Sequence, residues 1–195
     1  MFVLSGYGSW DEGIKLIQRN GTASEDFLGD VVALYGDRDL VGGHFIYERG
    51  DASWVAYIFH RVNGVWKEEA NLVPADGVSG GWLVYDVDIS GVTDIIGYPF
   101  NNYMGIDNGY VYVFFRRYNV KWEEAHKLTP AYAEAGDWFG VSVNIFGNTP
   151  VIGSQYDNGR GDDSGYGYVY TSIGGKWNKS GKRVPEDGAA YDEFG

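Results

Sequence analysis

The sequence predicts an all-β fold, a propeller-type array of four-stranded antiparallel units with a period of about 55–56 residues, and three observations predict it. Trp10, Trp66, Trp122 and Trp177 stand 56, 56 and 55 residues apart. Other columns hold that register: Leu28, Leu83, Phe139 and Phe194; Gly36, Gly91 and Gly147; Gly42, Gly97 and Gly153; Tyr57, Tyr112 and Tyr168; Pro74, Pro130 and Pro185. The chain also carries 30 glycines against 5 prolines and is 17% aromatic, which suits many short strands joined by tight turns.

In chain order, residues 1–26 supply the second half of a unit, with a strand at 2–5, a turn at 6–8 and a strand around 10–16. Full units follow at 27–81, 82–136 and 137–192, and residues 193–195 open the next, so that 1–195 reads as one repeat domain. Within each unit the first strand alternates. Val32, Val87 and Val143 with Leu34, Ile89 and Ile145 form one face, which is expected to pack on the next sheet. Val31, Asp86 and Ser142 with Ala33, Asp88 and Asn144 form the other. The second strand is a continuous apolar pair (Leu40-Val41, Ile95-Ile96, Val151-Ile152), as for a strand covered on both faces. A third strand rich in tyrosine follows. The fourth, Trp66-Lys67-Glu68 or Trp122-Glu123-Glu124, alternates in charge and reads as an outer strand facing water. The glycine columns fall where a hairpin or strand end needs a backbone that a side chain would obstruct.

The formal charge of −12 argues against nucleic acid, because a phosphate backbone requires a positive surface to replace its counterions. With no cysteine, disulfides, thiolate metal sites and a cysteine nucleophile are excluded. No apolar run approaches the ~18 residues of a membrane span. Residues 1–5 are apolar but lack the length and basic start of a signal peptide, and the register places Met1 in the Tyr57 column, so they read as a third strand.

Phe139-Gly140, Phe194-Gly195, Gly97-Tyr98-Pro99 and the runs GYGYVY (165–170) and NGYVYVF (108–114) resemble the FG-GAP repeats of bacterial and algal surface proteins and, more distantly, of integrin alpha chains. The resemblance covers essentially the whole chain. Its first and second copies depart from it, with Leu28-Gly29 and Leu83-Val84 in the FG position. It implies a β-propeller fold, an extracellular or cell-surface location, and a non-catalytic role in adhesion or ligand binding. The alternative is a structural building block of a larger surface or fibrous assembly, completed by other chains or by parent sequence beyond this chain, with self-association through the incomplete terminal unit as a further expectation.

The loop between second and third strands holds the candidate sites. In the third copy, Asp157, Asn158, Asp162 and Asp163 interleave with glycine and could wrap calcium through oxygen ligands. The competing reading is a solvated Asp/Asn/Gly turn. The D-x-D-x-D-G pattern that integrin-type propellers place between first and second strands is absent. Arg160-Gly161-Asp162 resembles the tripeptide read by integrins, and Arg49-Gly50-Asp51 repeats it in the first copy, whereas the second has Gly105-Ile106-Asp107. Trp54, Tyr98, Phe100, Tyr103 and Tyr156, beside Asn101, form an aromatic and amide group suited equally to a glycan, whose rings stack on aromatic faces, and to a protein partner. Asp86 and Asp88 read as a solvated or channel-lining pair. His44, His60 and His126 fall in different columns without metal-ligand spacing. No nucleophile elbow, P-loop or dinucleotide fingerprint is present, and no catalytic residue is expected.

Overall fold

The computed structural model describes residue 16 and residues 27–46, 53–76, 84–100, 107–117, 121–130 and 134–195; of residues 27, 44–46, 53 and 54 it describes the backbone alone. These residues form twelve strands. The first sheet holds β1 (Phe27–Tyr35), β2 (Arg38–Ile46), β3 (Ser53–Val62) and β4 (Val65–Leu72). The second holds β5 (Asp86–Ser90), β6 (Thr93–Tyr98), β7 (Tyr110–Arg117) and β8 (Lys121–Leu128). The third holds β9 (Phe139–Phe146), β10 (Thr149–Ser154), β11 (Tyr166–Ile173) and β12 (Lys176–Arg183). Each sheet is an antiparallel meander in sequence order, one blade per repeat. Among the described residues no helix is long and apolar enough to cross a membrane.

The repeat columns account for this regularity. Gly36, Gly91 and Gly147 turn the first hairpin of each blade at φ of 62°, 67° and 59°, the left-handed region that side chains disfavour. Each fourth strand carries a bulge against the third, and the bulged residues are Glu69, Ala125 and Ser180. Of residues 1–26 only Leu16 is described, packed with Val41, Val55, Tyr57 and Phe59; the half unit expected there lies outside the described residues.

Blades stack face to face. Leu40, Ala56, Ile58 and Leu72 of the first blade meet Ile96, Tyr112 and Phe114 of the second, with Val84, Val87 and Ile89 alongside. Ile95, Val111, Val113 and Leu128 on the second blade's other face meet Val143, Ile145, Ile152, Tyr168 and Tyr170 of the third. Tyr57, Tyr112 and Tyr168 are among the largest fully buried side chains, each stabilising by roughly 2–3 kcal/mol. The expected apolar faces hold only where a blade covers them. Val87, Ile89, Val143 and Ile145 are buried, whereas Val32 and Leu34 are 63% and 66% exposed. In the second strand Leu40 and Ile95 are buried and Val151 is 44% exposed. These positions bury against an adjacent blade, not within their own sheet.

The Phe-Gly dipeptide locks one blade to the blade before it. The N–H groups of Trp138 and Phe139 donate to the carbonyls of Asp107 and Asn108, at 3.2 Å each. A Cβ on Gly109 would strike the Phe139 carbonyl, and one on Gly97 the Gly140 carbonyl. The same contacts recur one repeat later, where Glu193 and Phe194 donate to Asp163 and Ser164, and Gly165 and Gly153 face Phe194 and Gly195. In the first blade Gly42 meets the Val84 side chain instead. This glycine column is therefore required by the next repeat's backbone, a closer constraint than a strand end.

Candidate ligand-binding site at the loop end

Antiparallel order places the connections from second to third strand, and from each blade to the next, at one end of the array; the tight hairpins occupy the other. At the loop end four aromatic rings form a row across the second and third blades. Tyr85 and Phe100 stand 5.5 Å apart, Phe100 and Trp138 4.6 Å, and Trp138 and Tyr156 4.5 Å, every pair edge to face. Tyr85 is exposed and the other three are half-buried.

Of the aromatic residues expected at the site, Phe100 and Tyr156 are thus brought into one row, bridged by Trp138. Tyr98 does not belong to the loop surface. It closes β6, buried edge-on against Tyr112, because its place in the strand turns it toward the first blade. Its hydroxyl has no hydrogen-bond partner, and burial pushes its pKa up. Trp54 lies in β3 with its side chain outside the described residues, as are Asn101 and Tyr103 entirely. Sequence reasoning passed over Tyr85 and Trp138. Trp138 had a usable signal: an aromatic residue precedes the FG position in three copies, at Phe27, Trp82 and Trp138.

Beside the row, Glu134 Oε2 accepts from the Asn158 amide at 3.4 Å, and the Glu134 N–H donates to Asp137 Oδ2 at 2.7 Å. Asp137 is buried, and its carbonyl takes the Ser154 hydroxyl at 2.9 Å. Burial pushes the Asp137 carboxyl up to about 6, the Glu134 N–H opposing and the nearby Asp157 charge adding to the rise.

The third copy's acidic loop has a divided geometry. Asp157 is buried, accepting the Tyr168 hydroxyl and the Lys182 ammonium, the latter at 3.2 Å, while Lys182 lies over the Tyr166 ring at 3.7 Å. Asn158 Oδ1 is used inside the loop, accepting the Asp163 N–H at 2.8 Å. Asp162 is exposed, with its carbonyl taken by the Tyr191 N–H at 2.8 Å. Among the described residues no group of three or more histidines, aspartates or glutamates is placed to hold a metal ion. Arg160 is tied back, its guanidinium donating to the Glu186 carbonyl at 2.7 Å. Arg49-Gly50-Asp51 lies outside the described residues.

The second blade builds the same tyrosine–carboxylate–lysine group differently. Tyr112 and Lys127 occupy the Tyr168 and Lys182 columns, and the carboxylate is Asp76, from the connection preceding β5, with Lys127 Nζ at 2.9 Å. A buried tyrosine hydroxyl and a partly covered ammonium both need an acceptor, and these two blades each recruit one from whichever loop reaches.

Asp86 and Asp88 are half-buried, and their carboxylates are engaged by backbone rather than free in solvent. Their carboxylates reach the next blade, accepting the Val143 N–H at 2.7 Å and the Ile145 N–H at 2.6 Å, and Ser90 Oγ accepts the Gly147 N–H at 2.9 Å. This side-chain ladder satisfies the inner edge of β9, where no strand pairs. At the hairpin end of the first interface, Glu69 accepts from Arg38 at 3.0 Å and from Trp122 Nε1 at 2.8 Å, with His60 Nδ1 3.1 Å away. Burial raises the Glu69 carboxyl, but the Arg38 and Trp122 hydrogen bonds outweigh it and hold it below the usual range. Asp94 is wholly buried there without a hydrogen-bond partner, and burial pushes it well up. His126 contacts the Gly175 carbonyl at 2.8 Å, and His44 lies in β2 with its side chain outside the described residues.

The model of the family described as FG-GAP repeat matches residues 66–114 and 122–170, together half of the chain. Each match begins at a fourth-strand tryptophan and runs into the third strand of the following blade, so it spans a blade boundary. No curated protein matches the chain.

Proposed function

The chain belongs to the FG-GAP repeat family, and on that footing we propose that it is a non-catalytic binding module, extracellular or at a cell surface, whose loop end takes a glycan. The observation that carries the reading is the row Tyr85, Phe100, Trp138 and Tyr156, which crosses two blades, while the loops carrying Trp138 and Tyr156 also carry the Glu134 carboxylate and the Asn158 amide, hydrogen-bonded to each other. A sugar offers C–H faces that stack on aromatic rings and hydroxyls that bond to carboxylates and amides; the row offers the first kind of contact, and the exposed Glu134 and Asn158 on the same loops offer the second. Four rings held edge to face lose little freedom on binding, which favours affinity.

A glycan array probed with the intact chain, followed by calorimetry on the retained oligosaccharide, tests the proposal. Trp138→Ala is expected to weaken binding about tenfold or more, corresponding to roughly 1.4 kcal/mol. Tyr35→Ala, at the opposite end, is expected to leave it unchanged. Retention of no glycan, or equal binding by Trp138→Ala, overturns the proposal, and retention of a protein from a defined adhesion-ligand panel would assign the row to a protein partner instead.

A further inference from the structure

We propose that the hairpin end of the array docks on an anionic lipid bilayer, its apolar tips Val92, Phe146 and Ile173 entering the headgroup region while Arg117, Lys121 and Lys176 meet the lipid phosphates. This goes beyond the glycan reading and is independent of it, since the glycan site lies at the opposite end of the strands.

The tips form one surface. Within blades, the Arg116 N–H donates to the Val92 carbonyl at 2.8 Å and the Ser172 N–H to the Asn148 carbonyl at 3.0 Å. Between the second and third blades, the Gly147 N–H donates to Ser90 Oγ at 2.9 Å and His126 meets the Gly175 carbonyl at 2.8 Å. Phe146 and Ile173 border the β9–β10 and β11–β12 turns and are 88% and 70% exposed, and Val92, in the β5–β6 turn, is 46% exposed. The second blade has a blade on either side and still exposes Val92, Arg117 and Lys121. Tyr35, the Phe146 column of the first blade, is 53% exposed with the second blade packed beside it. Exposure therefore belongs to the hairpin end itself and does not depend on what adjoins the third blade.

Charge identifies the partner. The chain has 27 acidic residues against 15 basic ones. In the second and third blades, however, the described turns and the residues bordering them carry Arg116, Arg117, Lys121 and Lys176 and no carboxylate. Glu123, further along β8, is shared by Arg117 and Lys121 at 3.2 Å each, and pairs this exposed are weak, which leaves both cations free to exchange onto phosphate. A bilayer holds phosphates in a plane above an apolar layer and accepts separate apolar side chains anywhere in that plane, which matches cations interspersed with isolated apolar tips. A folded protein would have to supply a recess for each tip. The strands, with 8 residues in β7, hold the acidic loop end about 25 Å away, several times the ~8 Å Debye length at physiological salt, so the acidic end is screened from the lipid.

Co-sedimentation of the intact chain with vesicles of phosphatidylcholine and phosphatidylglycerol in equal amounts, and with vesicles of phosphatidylcholine alone, tests this at about 0.1 M salt. The double variants Phe146→Ser with Ile173→Ser and Lys121→Glu with Lys176→Glu are measured alongside, with Tyr191→Ser at the loop end for comparison. All five side chains are exposed, so circular dichroism and the melting temperature of each variant are expected to match the parent. The parent is expected to bind the phosphatidylglycerol vesicles and not those of phosphatidylcholine alone, each double variant to bind at least about tenfold more weakly, and Tyr191→Ser to bind like the parent. A parent that binds neither vesicle or both equally, a double variant that binds like the parent, or a matching loss in Tyr191→Ser overturns the proposal. Self-association in place of vesicle binding also overturns it, and would assign the hairpin end to the acidic loop end of a second copy.

Discussion

Trp122 donates its indole N–H to Glu69 Oε1 at 2.8 Å across the first blade interface, and Trp177, the same column one repeat on, has a buried indole N–H with no partner. The cause is one substitution in the bulge column. Glu69 is replaced by Ala125 in the second blade, so the acceptor that Trp122 finds is missing beneath Trp177. Trp177 keeps its ring packing instead, stacked on Phe115 at 6.1 Å.

Trp122→Phe is accordingly expected to cost about 1–2 kcal/mol more than Trp177→Phe, since only the first change removes a hydrogen bond to a buried carboxylate. Trp122→Ala is expected to cost about 3–5 kcal/mol through the cavity it leaves. Urea unfolding of the three variants measures both effects, and equal costs for the two phenylalanine variants would show that the indole contact contributes nothing.

Two glycines separate conformational from steric demand. Gly91 has φ of 67° with open space around its α-carbon, while a Cβ on Gly97 would meet the Gly140 carbonyl. Gly91→Ala is expected to cost about 1 kcal/mol. Gly97→Ala is expected to cost about 3 kcal/mol or more, because the next repeat's backbone has to move. Melting temperatures give the order, and a mild Gly97→Ala would show that the Phe-Gly lock can shift at little cost.

The raised carboxyl of Asp137 has a defined pH signature. A folded-state pKa near 6, above the ordinary carboxylate value, means that the native state holds the proton more tightly than the unfolded chain. Its stabilising effect is complete below about pH 4 and is lost as pH rises through 6. Asp137→Asn keeps an acceptor for the Glu134 N–H and cannot titrate. The parent's stability relative to this variant is expected to fall by on the order of 2 kcal/mol between pH 4 and 7. Urea midpoints at the two pH values test this, and a constant difference would place the Asp137 pKa near that of the unfolded chain.

Calcium at the 157–165 loop is expected to bind weakly, with a dissociation constant on the order of a millimolar or above. Asp157 is already neutralised by Lys182, which leaves Asp162 and Asp163 as the loop's remaining carboxylates. Lys182→Met removes the competing charge and is expected to tighten binding. Calorimetric titration of parent and variant decides the matter, and micromolar binding by the parent would contradict the geometry.

The sequence by itself determined the blades: their number among the described residues, the strand order, the hairpin glycines, the buried Tyr57, Tyr112 and Tyr168 column and the packing of Trp122. Each follows from local pattern, and repetition reads the pattern out several times. Tertiary structure alone decided what each column meets across a blade boundary. It buried Tyr98, turned Asp86 and Asp88 onto the backbone of β9, set Asp157 against Lys182, brought Tyr85 and Trp138 into the aromatic row and left Val32, Leu34 and Val151 exposed. The physical reason is that a side chain's partner at these positions belongs to a neighbouring repeat and changes from copy to copy. Period and alternation fix which way a residue points within its sheet, whereas burial and pairing depend on what stands opposite.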